Sequence, residues 1–347
     1  MRRVLRALLL LLVAGLVALA APVVWIETAC RGSAAGDDGH VPLLPPDHRR
    51  AESRTLLTYP EWHIVHAYDD YAQVIATGDP HDFAFLRSVA GFWQTFCPLR
   101  RAAAGMGGAT RETLTTIHVI GVSFTAEMLL KAVYEETLGR LAAFLRGPQR
   151  ARLDDLSAAQ ARDYAAFLRQ VPWYRWDFAA DREALQNSAS DALRDRERAL
   201  ALGIEYWAKG LYARAIGAAV AGVGQDETTL RSVVTGIAPD RLAAIAGVTV
   251  IAPLGGGTEI ETPRYAAYTD ILRALAAADA HMIEIAGNDE ILFTAVSETP
   301  AEGALFAFRR QGYGDVRSLF VVRVIELLET IRALPERGLT LEHVHDY

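Results

Sequence analysis

The most apolar stretch of the chain comes first. Three arginines at its start precede twenty uncharged residues, 7–26, and Glu27 ends the run. A helix of that length crosses the ~30 Å hydrocarbon layer of a bilayer, and arginines on one flank keep that flank in the cytoplasm. The pattern predicts a membrane anchor over residues 1–30 of a bacterial inner-membrane protein. The N-terminus is then cytoplasmic and the bulk of the chain periplasmic.

A cleaved signal sequence is the alternative for the same residues. Ala18, Leu19 and Ala20 match the small-residue pattern of a cleavage site and follow an apolar region of suitable length. Against cleavage, the apolar run continues to Ile26, and Pro22 lies close to the bond that would be cut. Both interpretations carry the remaining chain out of the cytoplasm.

Residues 31–54 are polar and rich in glycine and proline, which is typical of a linker. We expect this segment to be a stalk that lifts the folded part off the membrane. From residue 55 to 240, apolar residues recur every three or four positions, as they do on the buried face of a helix. This range predicts a mainly α-helical domain.

After residue 240 the apolar period changes from helical to alternating. Residues 248–252 alternate as a strand does, and three glycine-containing turns further along indicate hairpins. Two strand–helix–strand units around hairpins predict a small α+β sandwich with a ferredoxin-like pattern over 241–347. The predicted fold class is therefore α+β, with an N-terminal transmembrane helix, a helical domain and this C-terminal unit.

Composition narrows the classes of function. The chain has 347 residues, 51% of them hydrophobic, and a net charge of −7. These values indicate a folded protein and do not favour a nucleic-acid partner. Of the 35 basic residues only Lys131 and Lys209 are lysines, which we interpret as a coding bias rather than a functional signal.

The two cysteines, Cys30 and Cys97, have two interpretations. An oxidising compartment permits a disulfide between them. Alternatively, Cys97 is a buried thiol, because it lies in an apolar run. The sequence leaves both open.

The densest set of chemically capable side chains lies on one predicted helix, early in the helical domain. His63, His66 and Asp70 fall at i, i+3 and i+7, which places two imidazoles and a carboxylate on one face. These groups are candidate ligands for zinc or iron. A further donor comes from the long helix that follows, where the candidates are Glu127, Glu135, Glu136 and His118. Glu61 joins them as a candidate for acid–base catalysis. The alternative is a histidine that forms hydrogen bonds within the helical core.

Aromatic residues suggest a second kind of site. Trp62, Trp93, Trp173 and Trp176 are candidates for the lining of one pocket that takes an apolar or amphipathic ligand. The alternative is that these rings cap the hydrophobic core.

Two histidines also stand close together at the other end of the chain. His343 and His345 share one face of the last predicted strand, where a metal site is conceivable. We expect an exposed strand end there instead.

The sequence favours a single-pass, membrane-anchored exported protein that acts as a binding or assembly component at the membrane surface. It contains no strong catalytic pattern and indicates no particular cofactor. The alternative function is a metal-dependent or acid–base enzyme centred on Glu61, His63, His66 and Asp70. The expected partners are the membrane and, through an open sheet edge of the C-terminal domain, another protein or a second copy of the chain.

Overall fold

The computed structural model describes residues 2–34, 40–223 and 228–347, and it has an α+β fold. Its N-terminal half is α-helical up to Val223. Its C-terminal half carries two four-stranded antiparallel sheets. This mixture of helices and antiparallel sheets confirms the α+β part of the predicted fold class.

The N-terminal half is built from helices joined by short turns. A π-helical turn, Glu135–Gly139, links the fifth helix to the sixth, so that the two form one long rod. The helices of this half are α1 (Arg2–Ala29), α2 (Arg54–Leu57), α3 (Tyr59–Ile75), α4 (Phe85–Ala103), α5 (Arg111–Tyr134), α6 (Arg140–Arg146), α7 (Arg152–Leu168), α8 (Phe178–Ser188) and α9 (Leu193–Val223).

The C-terminal half repeats one strand order in two sheets. The first sheet has the order β2-β3-β1-β4 and the second β6-β7-β5-β8, and every neighbouring pair is antiparallel. The strands are β1 (Thr229–Thr235), β2 (Thr249–Leu254), β3 (Gly257–Pro263), β4 (His281–Ile285), β5 (Glu290–Ser297), β6 (Phe306–Arg309), β7 (Val316–Arg323) and β8 (Thr340–His345). The helices between them are α10 (Pro239–Ala243), α11 (Ala266–Ala277) and α12 (Val324–Ala333).

The second sheet is the layer that joins the two halves. Because side chains alternate between the faces of a strand, Phe293 and Phe320 pack into a core with α11 and α12. Their neighbours Leu292 and Leu319 point to the other face, where they join the core of the helical half. This second face therefore lies against α2 and α4, and Tyr59 and Trp62 of α3 contact histidines of β8.

The predicted stalk is wrong for residues 40–54, because this segment runs across the C-terminal half. The backbone N–H groups of Leu43 and Leu44 donate to the Glu284 carboxylate at 2.6 and 2.9 Å. Further along, the Arg50 N–H donates to the Ala286 carbonyl at 2.9 Å. A polar, turn-rich composition suits such a surface path as well as a free linker; residues 35–39 of the same range lie outside the described residues.

The domain boundary also differs from the expected one. The sheets begin at Thr229, whereas the sequence placed the end of the helical domain at residue 240. The sequence did not indicate β1, because a buried polar residue, Ser232, and a bulge between Val233 and Val234 break its apolar alternation. β1 lies in the middle of the first sheet, between β3 and β4.

The end of α1 is fixed to the helical half. Ile26 and Cys30 are fully buried, and Cys30 forms a disulfide with Cys97 of α4 at a Cα–Cα distance of 5.0 Å. Glu27 accepts a hydrogen bond from Arg100 at 2.9 Å. Among the described residues, the rod Arg111–Arg146 is the helix long and apolar enough to cross a membrane, and the apolar part of α1, Val13–Ala29, is shorter.

Candidate functional site

α3 carries the residues that the sequence singled out. His63, His66 and Asp70 are buried at 4, 6 and 5% exposure, whereas Glu61 is exposed on another face of the helix. The i, i+3, i+7 spacing therefore does place the two imidazoles and the carboxylate on the inner side of α3. Glu61 does not join them.

β7 and β8 supply the opposite wall. Arg317 of β7 is completely buried, and so is His345 of β8, while His343 is 3% exposed. A bulge in the pairing of β5 with β8 leaves Glu342 without a strand partner. The expected exposed strand end at His343 and His345 is wrong, because the helical half covers this face of the sheet.

Together these residues form what we call the histidine cluster. Its members are Tyr59, His63, His66, Asp70, Arg310, Arg317, Glu342, His343 and His345. The Tyr59 and His345 rings lie 5.2 Å apart, and the His343 and His345 rings lie 4.8 Å apart. Trp62 stacks on His343 at a ring distance of 3.5 Å.

Two arginines hold the charges of the cluster. Arg317 makes a bidentate pair with Glu342, with Nη2 to Oε1 at 2.6 Å. Arg310 has carboxylates on all sides but no close pair: Asp69, Asp70, Asp315 and Glu342 lie at 3.5–3.9 Å. Contacts of that length are those at which a bridging molecule should be considered.

Many polar atoms of the cluster lack a hydrogen-bond partner. Among the described residues, half of the buried side-chain nitrogens and oxygens without such a partner belong to this one cluster. They are Tyr59 Oη, His63 Nδ1, His66 Nε2, Asp70 Oδ1, Arg310 Nε, Arg317 Nη1, His343 Nε2, His345 Nδ1 and His345 Nε2. Most buried polar atoms in proteins have a partner, so this concentration requires an explanation.

Burial sets the protonation of these groups. It lowers the pKa of His63 to about 4 and that of His345 to about 3, and it holds the pKa values of His66 and His343 well below the ordinary value. Burial also raises the pKa of Asp70 to about 6, against the opposing effect of Arg317. At neutral pH the imidazoles are therefore neutral.

The predicted metal site does not form. Among the residues that the structure describes, no three His, Cys, Asp or Glu side chains are placed to hold a metal ion. His63 donates through Nε2 to the Ser88 carbonyl at 3.0 Å, and Asp70 accepts from the Gln311 N–H at 2.9 Å. The predicted helical spacing is correct, but backbone groups of Ser88 and Gln311 bind the side chains that were expected to bind a metal.

Glu127 belongs to a separate group that we call the lysine cluster: Tyr68, Glu127, Lys131, Glu205 and Lys209. Lys209 Nζ lies 2.8 Å from Glu127 and 2.9 Å from Glu205, and Lys131 Nζ lies 2.9 Å from Glu205. The Tyr68 hydroxyl donates to Glu127 at 2.5 Å and accepts from Lys209 at 2.9 Å. Both lysines of the chain thus share one pair of carboxylates.

The lysine cluster satisfies its own charges. It holds two positive and two negative groups beside a cavity of about 30 Å³, which is room for only one or two waters. Burial alone would raise the pKa of Glu205, but Lys131 and Lys209 lower it to about 2. The pKa of Glu127 is lowered and that of Lys209 is raised by the same ion pairs, so Glu127, Glu205 and Lys209 keep their charge at neutral pH. The cluster cross-links α3, α5 and α9.

The four tryptophans do not line one pocket, so that prediction is wrong. Trp62 lies against the histidine cluster, and Trp93 donates to Thr125 at 3.0 Å in the helical core. Trp173 packs against Tyr212, and Trp176 lines the small cavity of the lysine cluster. Helical spacing alone did not show which neighbours each ring would meet.

Sequence reasoning missed Tyr59, Arg310, Arg317 and Glu342 as members of the site. One signal was available for Arg317: a charged residue in the otherwise apolar alternation of a strand predicts a buried ion pair. Comparisons of the chain with protein-family models, with curated proteins and with solved structures found no match in any of the three.

Proposed function

We propose that this protein is a membrane-anchored, exported binding protein that takes a small polar ligand at the histidine cluster. The observation that carries the proposal is the convergence of nine buried polar atoms without hydrogen-bond partners between α3 and the second sheet. Leaving one such atom unpaired costs about 1–3 kcal/mol. A bound molecule that forms hydrogen bonds with several of these atoms would therefore stabilise the fold.

The anchor and the export are supported by the first residues. The uncharged run 7–26 after three arginines fits a transmembrane helix with a cytoplasmic N-terminus. The disulfide between Cys30 and Cys97 fits an oxidising compartment such as the periplasm. Because this bond ties the end of α1 to α4, the helical half lies next to the membrane that holds α1.

The free atoms specify the kind of ligand. Arg317 Nη1, Arg310 Nε and the Tyr59 hydroxyl are donors. His63 Nδ1 is an acceptor, because its other ring nitrogen already donates to Ser88, and Asp70 Oδ1 is a second acceptor. The ligand therefore has to offer both donors and acceptors, as small molecules with amino, hydroxyl or carboxyl groups do.

One observation favours an acid–base enzyme as a second candidate. The pKa of Asp70, raised by burial to about 6, is close to the value that suits a general base at neutral pH. Neutral imidazoles lie in the same cluster. The two candidates differ in the fate of the ligand, which a binding protein releases unchanged and an enzyme converts.

Tyr59→Phe tests the proposal in the full chain, purified in detergent from its own membranes. If the hydroxyl meets a ligand, the variant unfolds more easily than the wild type and retains less of a co-purified small molecule in native mass spectrometry. Tyr268→Phe is the matched control: Tyr268 is equally buried, but its hydroxyl bonds to Ser232 at 3.2 Å. That control loses about 1 kcal/mol of stability and keeps the ligand.

The opposite result would contradict the proposal. If the Tyr59 hydroxyl has no partner, its removal relieves a buried unsatisfied group and raises the free energy of unfolding. If native mass spectrometry shows no bound molecule on either the wild type or Tyr59→Phe, and the variant is more stable, the histidine cluster binds no ligand. A released molecule whose mass changes on incubation supports the enzyme instead.

A further inference from the structure

The helical half exposes far more apolar surface than the sheets do. Most of the large apolar side chains that the described residues leave exposed lie on α1, on the rod of α5 and α6, and on α9. Extended apolar surface of this kind marks a binding surface or contact with a membrane.

The first part of this surface follows the rod. Five large apolar residues succeed one another along it, each more than half exposed: Leu130, Val133, Leu138, Leu141 and Phe144. The same rod is apolar enough, by length and composition, to cross a membrane.

α9 carries the second part. Leu200, Ile204, Trp207 and Leu211 are each more than half exposed, and they fall at i, i+4, i+7 and i+11. This spacing makes one continuous stripe along the helix. α9 packs against α6, and we call the two exposed stripes together the apolar face.

Several charged residues of the same helices point inward. Glu135 of the π-turn pairs with Arg198 of α9 at 2.9 Å, and Lys131 of α5 pairs with Glu205 of α9 at 2.9 Å. Other charged residues of these helices, Arg196 and Arg214 among them, are exposed. A helix pair in water buries apolar side chains and exposes charges. For the two inward pairs the order is inverted, as in helices that face lipid, where ionisable side chains turn to the bundle interior and pair with one another.

The rod that carries the first stripe also contacts the anchor. Glu27, near the end of α1, lies 3.4 Å from His118 of α5, and the disulfide holds the same end of α1 to α4. A bilayer that contains α1 therefore begins where α5 is packed. This contact with the anchor selects lipid as the occupant over a soluble protein partner.

We infer that the apolar face lies in the headgroup and upper acyl region of the bilayer that holds α1. The helical half is then a monotopic membrane domain rather than a body carried above the surface. An exposed ion pair, Glu136 with Arg140 at 2.6 Å, interrupts the rod, which fits a helix lying in the interface and not one crossing the hydrocarbon. The inference rests on the anchor part of the proposed function and not on the ligand.

A pair of labelled isoleucines tests the inference in the full chain, reconstituted in phosphatidylethanolamine–phosphatidylglycerol vesicles. Ile204→Cys on the apolar face and Ile325→Cys on α12 have similar exposure in the structure, 58 and 47%, and each takes an environment-sensitive fluorophore. We expect blue-shifted emission at position 204, quenched by brominated lipid several-fold more strongly than at position 325.

Each outcome decides a separate point. Equal, weak quenching at both positions overturns the inference, and so does a fluorophore at 204 that is shielded from water but untouched by brominated lipid, because a protein then covers the face. Loss of the unlabelled wild type from membranes on a carbonate wash removes the anchor part of the proposed function and with it this inference, and leaves ligand binding at the histidine cluster to its own test.

Discussion

Two buried polar clusters lie on the same helix, and they differ in one respect. The lysine cluster and the histidine cluster both contain a tyrosine of α3, two carboxylates and two cations in a desolvated setting. Every charge of the lysine cluster finds its counter-charge within 2.8–2.9 Å. The arginine of the histidine cluster that is nearest the surface meets its carboxylates only at 3.5–3.9 Å.

This difference separates a polar cluster that only stabilises the fold from one that has donors and acceptors left for a ligand. A closed set of ion pairs can tie helices together but has no capacity left for another molecule. A set with unpaired donors and acceptors is costly to the fold unless something else satisfies it. The candidate site is therefore distinguished by its unpaired hydrogen-bonding groups, and not by its burial or its charge.

The largest effect is expected from removing one charge of the closed set. Lys209→Met leaves Glu127 and Glu205 with one ammonium group between them. We expect a loss of about 3–5 kcal/mol in the free energy of unfolding, measured by denaturant unfolding in detergent. Arg196→Met, which breaks the exposed pair with Asp191, should change it by less than about 1 kcal/mol.

A cost at Lys209 no larger than at Arg196 would mean that the lysine cluster does not cross-link the helices. The lysine cluster could then no longer serve as the example of a closed, stabilising set of ion pairs.

Acid should affect the two clusters in different pH ranges. The folded pKa of His63, about 4, lies below its ordinary value of 6.5, so its contribution to stability is present above pH 6.5 and lost as the pH falls to about 4. His66, His343 and His345 have the same sign. Asp70, whose pKa is raised to about 6, opposes them but is one group against four.

At about 1.4 kcal/mol for each unit of pKa shift, the shift of His63 alone corresponds to about 3 kcal/mol. We therefore expect the histidine cluster to lose about 3 kcal/mol of stability or more between about pH 6.5 and pH 4. Over that range the lysine cluster should stay intact, because the pKa of Glu205 is about 2. Unfolding curves of the wild type and His345→Phe at several pH values measure the difference. An unchanged pH profile in His345→Phe argues against buried neutral imidazoles.

The smallest effect sharpens the comparison on α3 itself. Tyr68→Phe removes a hydroxyl that donates to Glu127 and accepts from Lys209, so we expect a loss of about 1–2 kcal/mol. Unlike Tyr59→Phe, this variant should show the loss whether or not a small molecule is bound. Equal ligand dependence at both tyrosines would show that the two clusters act as one site.

The fold class and the inner face of α3 could be predicted from the sequence because both depend on local periodicity. His63, His66 and Asp70 share a face for the same reason. Their neighbours could not be predicted, because Arg317 and Glu342 come from strands far along the chain, and a bulge decides the direction of Glu342. Tertiary pairing of this kind leaves no local pattern.

The lysines show a different limit. Their rarity was visible in the composition, and we interpreted it as coding bias. The structure places Lys131 and Lys209 around the same carboxylate. Two residues of a rare type can therefore belong to one site, but the sequence alone does not show that they contact each other.

The path of residues 40–54 has a consequence for how the protein is made. Thr55, at the end of that path, donates to the His345 carbonyl and accepts from the Leu292 N–H, so an early segment is stitched to one of the last strands. Under the proposed function, the helices can assemble while the chain is exported, whereas the histidine cluster forms only after β8 has arrived. A chain cut before Thr340 would then keep its helices and lose the ligand proposed for that cluster.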